Sequence, residues 1–141
     1  MPVPKLLIVD ANIIFSFFRK DSARKYIIEE LLNMDCELLS PEYLIEELFS
    51  DKERIKKFSG INEAEFLGLF SLIKDEITIV PESKYKDFLS KVFKLSPHIK
   101  DNPYFALSLF LSCPIWSDEK SFKKQSKVKI FSTAELIKEL N

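Results

Sequence analysis

Short apolar runs alternate along this chain with longer stretches in which apolar residues return every third or fourth position. The run Leu6-Leu7-Ile8-Val9 reads as a short, fully buried strand. Residues 37–39, 77–80, 114–116 and 127–131 read as four more. Helices are predicted between them, over residues 12–18 and 21–33. Ser40-Pro41 carries a helix-start signature, with Ser as the cap and Pro at the first helical position. That helix runs through Tyr43, Leu44, Leu48 and Phe49. Asn62-Glu63-Ala64-Glu65 fits a capping box for a helix to about residue 73. Residues 82–93 are helical by period, and Asn102-Pro103 starts a helix that ends near Ser112. Ser132-Thr133-Ala134-Glu135 is a second capping box, for a last helix to Leu140. Strands alternating with helices predict an α/β fold with a parallel sheet covered by helices on both faces.

Against this pattern the acidic residues stand out. Asp10 follows the first strand, and Asp118 and Glu119 follow Ile115-Trp116-Ser117. Asp101 precedes the helix that leads into the fourth strand, and Glu46 and Glu47 lie in the helix after the second. In a parallel sheet, strand ends and the starts of the returning helices meet at one edge, where open α/β sheets place their sites. Asp10, Glu47, Asp101 and Asp118 can therefore converge. Buried unpaired carboxylates are costly, and a shared cation is one good way to hold several together. The plain alternative for each is helix capping or dipole compensation. For Asp101 it is weakened, because Asn102 is the natural cap before Pro103. For Asp10 it competes with Asn12, and for Asp118 and Glu119 it is served by Ser117.

Composition narrows the chemistry further. A chain of 141 residues, 46% hydrophobic, is long enough for one domain with a proper core, spanning 1–141. With only Gly60 and Gly68, no glycine-rich phosphate cradle can be written. The net charge of −1 gives no overall positive field, so nucleic acid would have to meet local basic patches. Candidates are Arg19, Lys20, Arg24 and Lys25; Lys52, Arg54, Lys56 and Lys57; and Lys120, Lys123, Lys124, Lys127 and Lys129. The last is the most suggestive, since it follows the acidic pair at once. Cys36 and Cys113 read as small buried hydrophobes rather than a disulfide. His98 is the only histidine, which leaves little room for a histidine-based triad or a zinc site. No stretch is long and apolar enough for a membrane span and no signal peptide is visible, so a cytoplasmic location is expected.

Several segments together resemble the PIN-domain nucleases. Leu7-Ile8-Val9-Asp10-Ala11-Asn12-Ile13-Ile14 is similar to that family's opening motif, and Pro41-Glu42-Tyr43-Leu44-Ile45-Glu46-Glu47-Leu48 to its second. Asp101-Asn102-Pro103-Tyr104-Phe105-Ala106-Leu107 resembles the third. Pro114 to Phe122 resembles the fourth, and Ile130 to Leu136 the closing strand and helix. The resemblance implies a three-layer α/β/α fold with a parallel five-stranded sheet of order 3-2-1-4-5. It implies Mg²⁺- or Mn²⁺-dependent cleavage of RNA, often by a homodimer. Many small PIN proteins are toxins paired with an antitoxin protein. Asp10, Glu47 and Asp101, with Asp118 or Glu119, would be the catalytic acids. Asp10, Asp101 and one of the 118–119 pair would be metal ligands. Asn12, Ser117 and Glu46 would orient them, and Lys120, Lys123 and Lys124 would hold the RNA backbone. Counting back from Phe122 puts Glu119 at the family's Asp position and Asp118 at its Asn position. In the second motif the family's Glu usually precedes an apolar residue, which favours Glu47 over Glu46, although helical angles do not separate the two.

Two rival readings differ in class. A phospho-acceptor receiver domain needs an acidic pair after strand one, an Asp after strand three and a Lys after strand five. Here Asp10 stands alone, Val80-Pro81 ends strand three, and Phe131-Ser132 ends strand five. The other rival is a PIN fold kept as an RNA- or protein-binding module with little catalysis, which the irregular fourth motif keeps open.

Overall fold

In a computed structural model that describes residues 3–19 and 23–141, all five apolar runs pair into one parallel sheet of order β3-β2-β1-β4-β5. The strands are β1 (Leu6–Val9), β2 (Glu37–Pro41), β3 (Ile77–Val80), β4 (Ile115–Trp116) and β5 (Ile130–Phe131). The helices are α1 (Ala11–Phe17), α2 (Ala23–Asn33), α3 (Tyr43–Ser50), α4 (Lys52–Ser59), α5 (Glu63–Glu76), α6 (Glu82–Tyr85), α7 (Asn102–Leu111) and α8 (Thr133–Leu140). Helix α7 packs on β1, β2 and β4, whereas α2 packs on β2 and against α8. This is the expected three-layer arrangement. The expected helix start at Asp21, and Lys20 of the first basic cluster, lie outside the described residues.

The central strand β1 is apolar at every position because helices cover it from both sides. Leu7, Ile8 and Val9 are fully buried, as are Leu38, Ile115 and Trp116. The edge strand β3 is only partly covered, and Ile79 with it. Both capping boxes form. Asn62 and Glu65 exchange side chain-to-backbone hydrogen bonds at 2.8 and 3.0 Å, and Ser132 and Glu135 at 3.2 and 2.9 Å. Cys36 and Cys113 are free thiols, both buried. Among the described residues no helix is long and apolar enough to cross a membrane.

Three expectations need correction, and one helix was not anticipated. Ser40 and Pro41 belong to β2, paired with Ile79 and Val80, and the Ser40 hydroxyl donates to the Val9 carbonyl at 2.7 Å instead of capping a helix. Pro41 is tolerated because β2 pairs with β1 only as far as Leu39, so its missing N–H leaves no gap in that ladder. Residues 82–93 do not form one helix: α6 ends at Tyr85 and a 3₁₀ stretch, Lys86–Lys91, follows. Residues 52–59 form a separate helix, α4, closed by Gly60 in the left-handed conformation, φ 66°. Asn102 is the first residue of α7 rather than its cap; it is buried and hydrogen-bonded to the Ser96 hydroxyl.

Candidate active site

Strand order reverses between β1 and β4, and that switch point is where a crevice opens at the carboxyl ends of a parallel sheet. Asp10 sits there, directly after Val9. It occupies the cap position of α1, and its backbone carbonyl accepts from Ile13 and Ile14, but its carboxylate makes no capping bond. The carboxylate's only tie to the helix start is the Ala11 amide, which favours the ionised form but is the least of the influences on it. The carboxylate instead accepts from the Ser117 hydroxyl at 2.8 Å, across the seam between β1 and β4. The same Ser117 oxygen accepts the Glu119 amide at 3.1 Å, which fixes the turn after β4.

Asp10 is 4% exposed, and among the described residues no basic side chain pairs with it. Burial pushes its ionisation from the ordinary 3.8 up to about 7; the Ser117 bond opposes this, and Asp101 and Glu47 add to it. Glu47, half-buried on α3, is likewise pushed up to about 7, first by burial and then by Asp101 and Asp51, against a Tyr104 hydrogen bond and Lys100. The Tyr104 hydroxyl donates to Glu47 at 2.7 Å. Asp101 is raised by burial and by Glu119, against Lys100 and His98; its carboxylate makes no capping bond to α7. Asp101 is thus the hub of this edge: it acts on Asp10 and Glu47 and is itself acted on by Glu119, and the four acids come from four separate stretches of chain.

The acidic pair after β4 divides its labour. Glu119 accepts from the Asn12 side-chain amide at 2.8 Å. Asp118 turns away to a structural clamp. Arg24 on α2 reaches it at 2.7 and 3.0 Å, and the Thr133 amide and hydroxyl donate to it at 2.7 and 2.5 Å. Burial works against its ionised form, but Thr133 and Arg24 together hold its carboxyl below the ordinary value. On α3, Glu46 is exposed and lies with Glu42, Tyr85 and Pro103 around a separate hollow, not beside Asp10. Of the three lysines expected to hold RNA, Lys123 is tied to Glu135; Lys120 and Lys124 are exposed and form no ion pair among the described residues.

Sequence reasoning counted Tyr104 only as part of an apolar stretch and did not single out Thr133, and it left Arg24 in an undifferentiated basic cluster. The signal for Tyr104 is a tyrosine, rather than a phenylalanine, in the otherwise apolar α7, since a buried hydroxyl needs a partner. No local signal marks Arg24 or Thr133, because their partner Asp118 is distant in sequence.

Among the described residues no group of three carboxylate, imidazole or thiol side chains is gathered so as to hold a metal ion as the side chains stand. The donor chemistry nevertheless fits a hard divalent cation: the donors are all carboxylate oxygens, and Asp10, the most buried of them, has no basic partner among the described residues, while Lys100 acts on both Glu47 and Asp101.

Comparison with known families gives a PIN domain model that matches residues 8–141, nearly the whole chain, and the chain belongs to that family. No curated protein matches it. PIN domains are in general nucleases.

Proposed function

Taking the chain as a PIN domain, we propose that residues 1–141 act as one domain, a Mg²⁺- or Mn²⁺-dependent endoribonuclease that hydrolyses phosphodiester bonds in RNA. The observation that carries this reading is Asp10: a carboxyl buried at the sheet's switch point, without a basic partner, and raised by two further acids. Such an arrangement costs stability in the free protein, and a bound cation offsets that cost. Asp10, Asp101 and Glu119 would hold the cation, with Glu47 beside them. When bound, a divalent cation supplies activation of the attacking water and charge stabilisation at the phosphate. Ser117 spends its proton on Asp10 and so keeps that carboxylate facing the crevice. Asn12 restrains Glu119, and Tyr104 restrains Glu47. The Arg24 and Thr133 contacts of Asp118 support a structural role for it, and this favours Glu119 within the acidic pair.

Small PIN proteins are often toxin halves of toxin–antitoxin pairs and homodimers, and we extend the proposal to both settings. One observation favours a second reading, a catalytically weak binding module: the acids line the edge without forming a ready metal-holding group. Cleavage of end-labelled single-stranded RNA with Mn²⁺ or with EDTA separates the two. We expect Mn²⁺-dependent cleavage in wild type, a loss of at least about 100-fold in Asp10→Asn, and a comparable loss in Glu119→Gln. RNA left intact by wild-type protein at saturating Mn²⁺ would decide for the binding module.

A further inference from the structure

A cleft of about 460 Å³ opens next to the acidic edge, beyond Asn12 and Glu119. One wall comes from α1 and from Arg19, two positions past its end. Asn12, Phe15 and Arg19 follow one another at intervals of three and four, so they share a face. The opposite wall is α4, which presents Arg54 and Phe58, again four apart. Phe58 is 71% exposed, although water disfavours a large ring there and buried Ile55 already anchors its helix.

Charge is unevenly distributed in this cleft. Its acids, Asp118 and Glu119, stand at the end shared with the candidate active site. Arg24 is already engaged with Asp118. Arg54 lies 6.0 Å from the Phe15 ring centroid and pairs with Asp51 at 2.9 Å. That pair is exposed and therefore weak enough to exchange for a phosphate. Arg19 is exposed, and no carboxylate among the described residues pairs with it. An exposed aromatic ring lining one cleft with two such guanidinium groups has the chemistry of a single-strand nucleic-acid site: a stacking platform with cations for the backbone.

We propose that this cleft is a subsite for one unpaired nucleotide of a single-stranded nucleic acid, its base stacked on Phe58 and its phosphates met by Arg19 and Arg54. The choice of nucleic acid as the ligand rests on the nuclease reading; the stacking and charge pattern of the cleft do not. The subsite directs the strand so that its next phosphodiester faces the Asp10 edge. It also discriminates against duplex, whose bases are already stacked and unavailable to Phe58.

The test is fluorescence anisotropy with a labelled single-stranded RNA octamer in EDTA. Phe58→Ala is expected to weaken binding at least about fivefold, the low end for loss of one base–aromatic stack. Phe58→Trp should restore it. The double variant Arg19→Ala, Arg54→Ala should make the dependence of log affinity on log salt shallower by about 1.4, at roughly 0.7 per phosphate contact on a single strand. Lys138→Ala on α8, which also removes a positive charge, should leave that slope alone.

The proposal is overturned if wild type does not bind the octamer, or if Phe58→Ala binds as wild type does and the arginine variant keeps the wild-type slope. Displacement of the RNA by poly-glutamate of matched charge would equally overturn it, by showing a site for carboxylates. Binding with the expected dependences but no Mn²⁺-supported cleavage would sink the nuclease reading and leave the cleft standing. Full cleavage by wild type, with KM unchanged in Phe58→Ala, would sink the cleft alone.

Discussion

Replacing Asp10 with Asn should make the metal-free protein more stable at alkaline pH, and the size of the effect follows from burial. Asp10 ionises at about 7 in the folded chain against an ordinary 3.8. The ratio is about three powers of ten, each about 1.4 kcal/mol, so ionised Asp10 costs the folded state on the order of 4 kcal/mol. The sign is fixed by proton counting. Between the two values the folded chain keeps a proton that the unfolded chain has lost, so wild-type stability falls as pH rises. Above about pH 7 the penalty is complete, and below about pH 4 it is absent. Asparagine keeps an acceptor for the Ser117 hydroxyl and never ionises. Urea unfolding of both proteins in EDTA, from pH 4 to 8.5, isolates Asp10 when one curve is subtracted from the other. The difference should be near zero at the acid end and reach about 2–4 kcal/mol in favour of the variant at pH 8.5, somewhat below the full figure because water enters a relaxed crevice. Adding Mn²⁺ at ten times its Kd should restore about 1.4 kcal/mol to wild type and little to the variant. A variant less stable than wild type at pH 8.5, or a difference that does not change with pH, would refute the account of Asp10 as a strained, uncapped acid.

Three further outcomes follow from particular contacts. Asp118→Ala should lower stability by about 1–2 kcal/mol, discounted for its partial exposure, through loss of the Arg24–Thr133 clamp; Glu119→Gln should leave the urea midpoint nearly unchanged while reducing cleavage, and the reverse pattern would exchange their roles. Tyr104→Phe removes the hydrogen bond that holds Glu47 down, so Glu47 should ionise at still higher pH and the rising limb of the cleavage-rate profile should move to higher pH; an unmoved limb would remove Glu47 from the chemistry. Ser40→Ala deletes a fully buried hydroxyl bonded to the Val9 carbonyl and should cost about 1–2 kcal/mol by urea unfolding with RNA affinity in EDTA unchanged.

Where local sequence and tertiary demand agree, the fold was readable. Leu6 to Val9 is apolar at each step because it runs through the middle of the sheet, and both capping boxes close as their spacing predicts. Where they disagree, tertiary pairing prevails. Ser40-Pro41 has the composition of a helix start, yet β3 recruits it as strand and the Ser40 hydroxyl ties it to the end of β1. Residues 82–93 keep a helical period, but the α-helix stops at Tyr85, whose side chain is buried. The four acidic motifs were visible as acids after strands or near helix starts. The residues' own spacing did not separate the members of each acidic pair, and only the family resemblance leaned to Glu47 and to Glu119, because the contacts that set them apart come from distant partners. Glu47 is selected by Tyr104, 57 positions away. Asp118 is drawn off by Arg24, 94 positions away, and by Thr133.

The seam between β1 and β4 has a consequence for assembly. Register there is only two residues long, Ile8 with Ile115 and Val9 with Trp116. Asp10 and Glu47 come from the stretch of chain ending with β3; Asp101 and Glu119 come from the stretch that follows it, whose helix α7 packs over β1 and β2 as well as β4. Neither portion carries a complete set of acids. The proposed site would therefore form only when the two portions pack together, and repulsion among its acids would oppose that packing. A cation gripped by both sides would act as a rivet across the join, slowing exchange of the Ile8 and Asp10 amides that bond to the Pro114 and Trp116 carbonyls. On the nuclease proposal the acids would report on the completeness of the fold: a chain that has not brought its two portions together would have no site with which to cut.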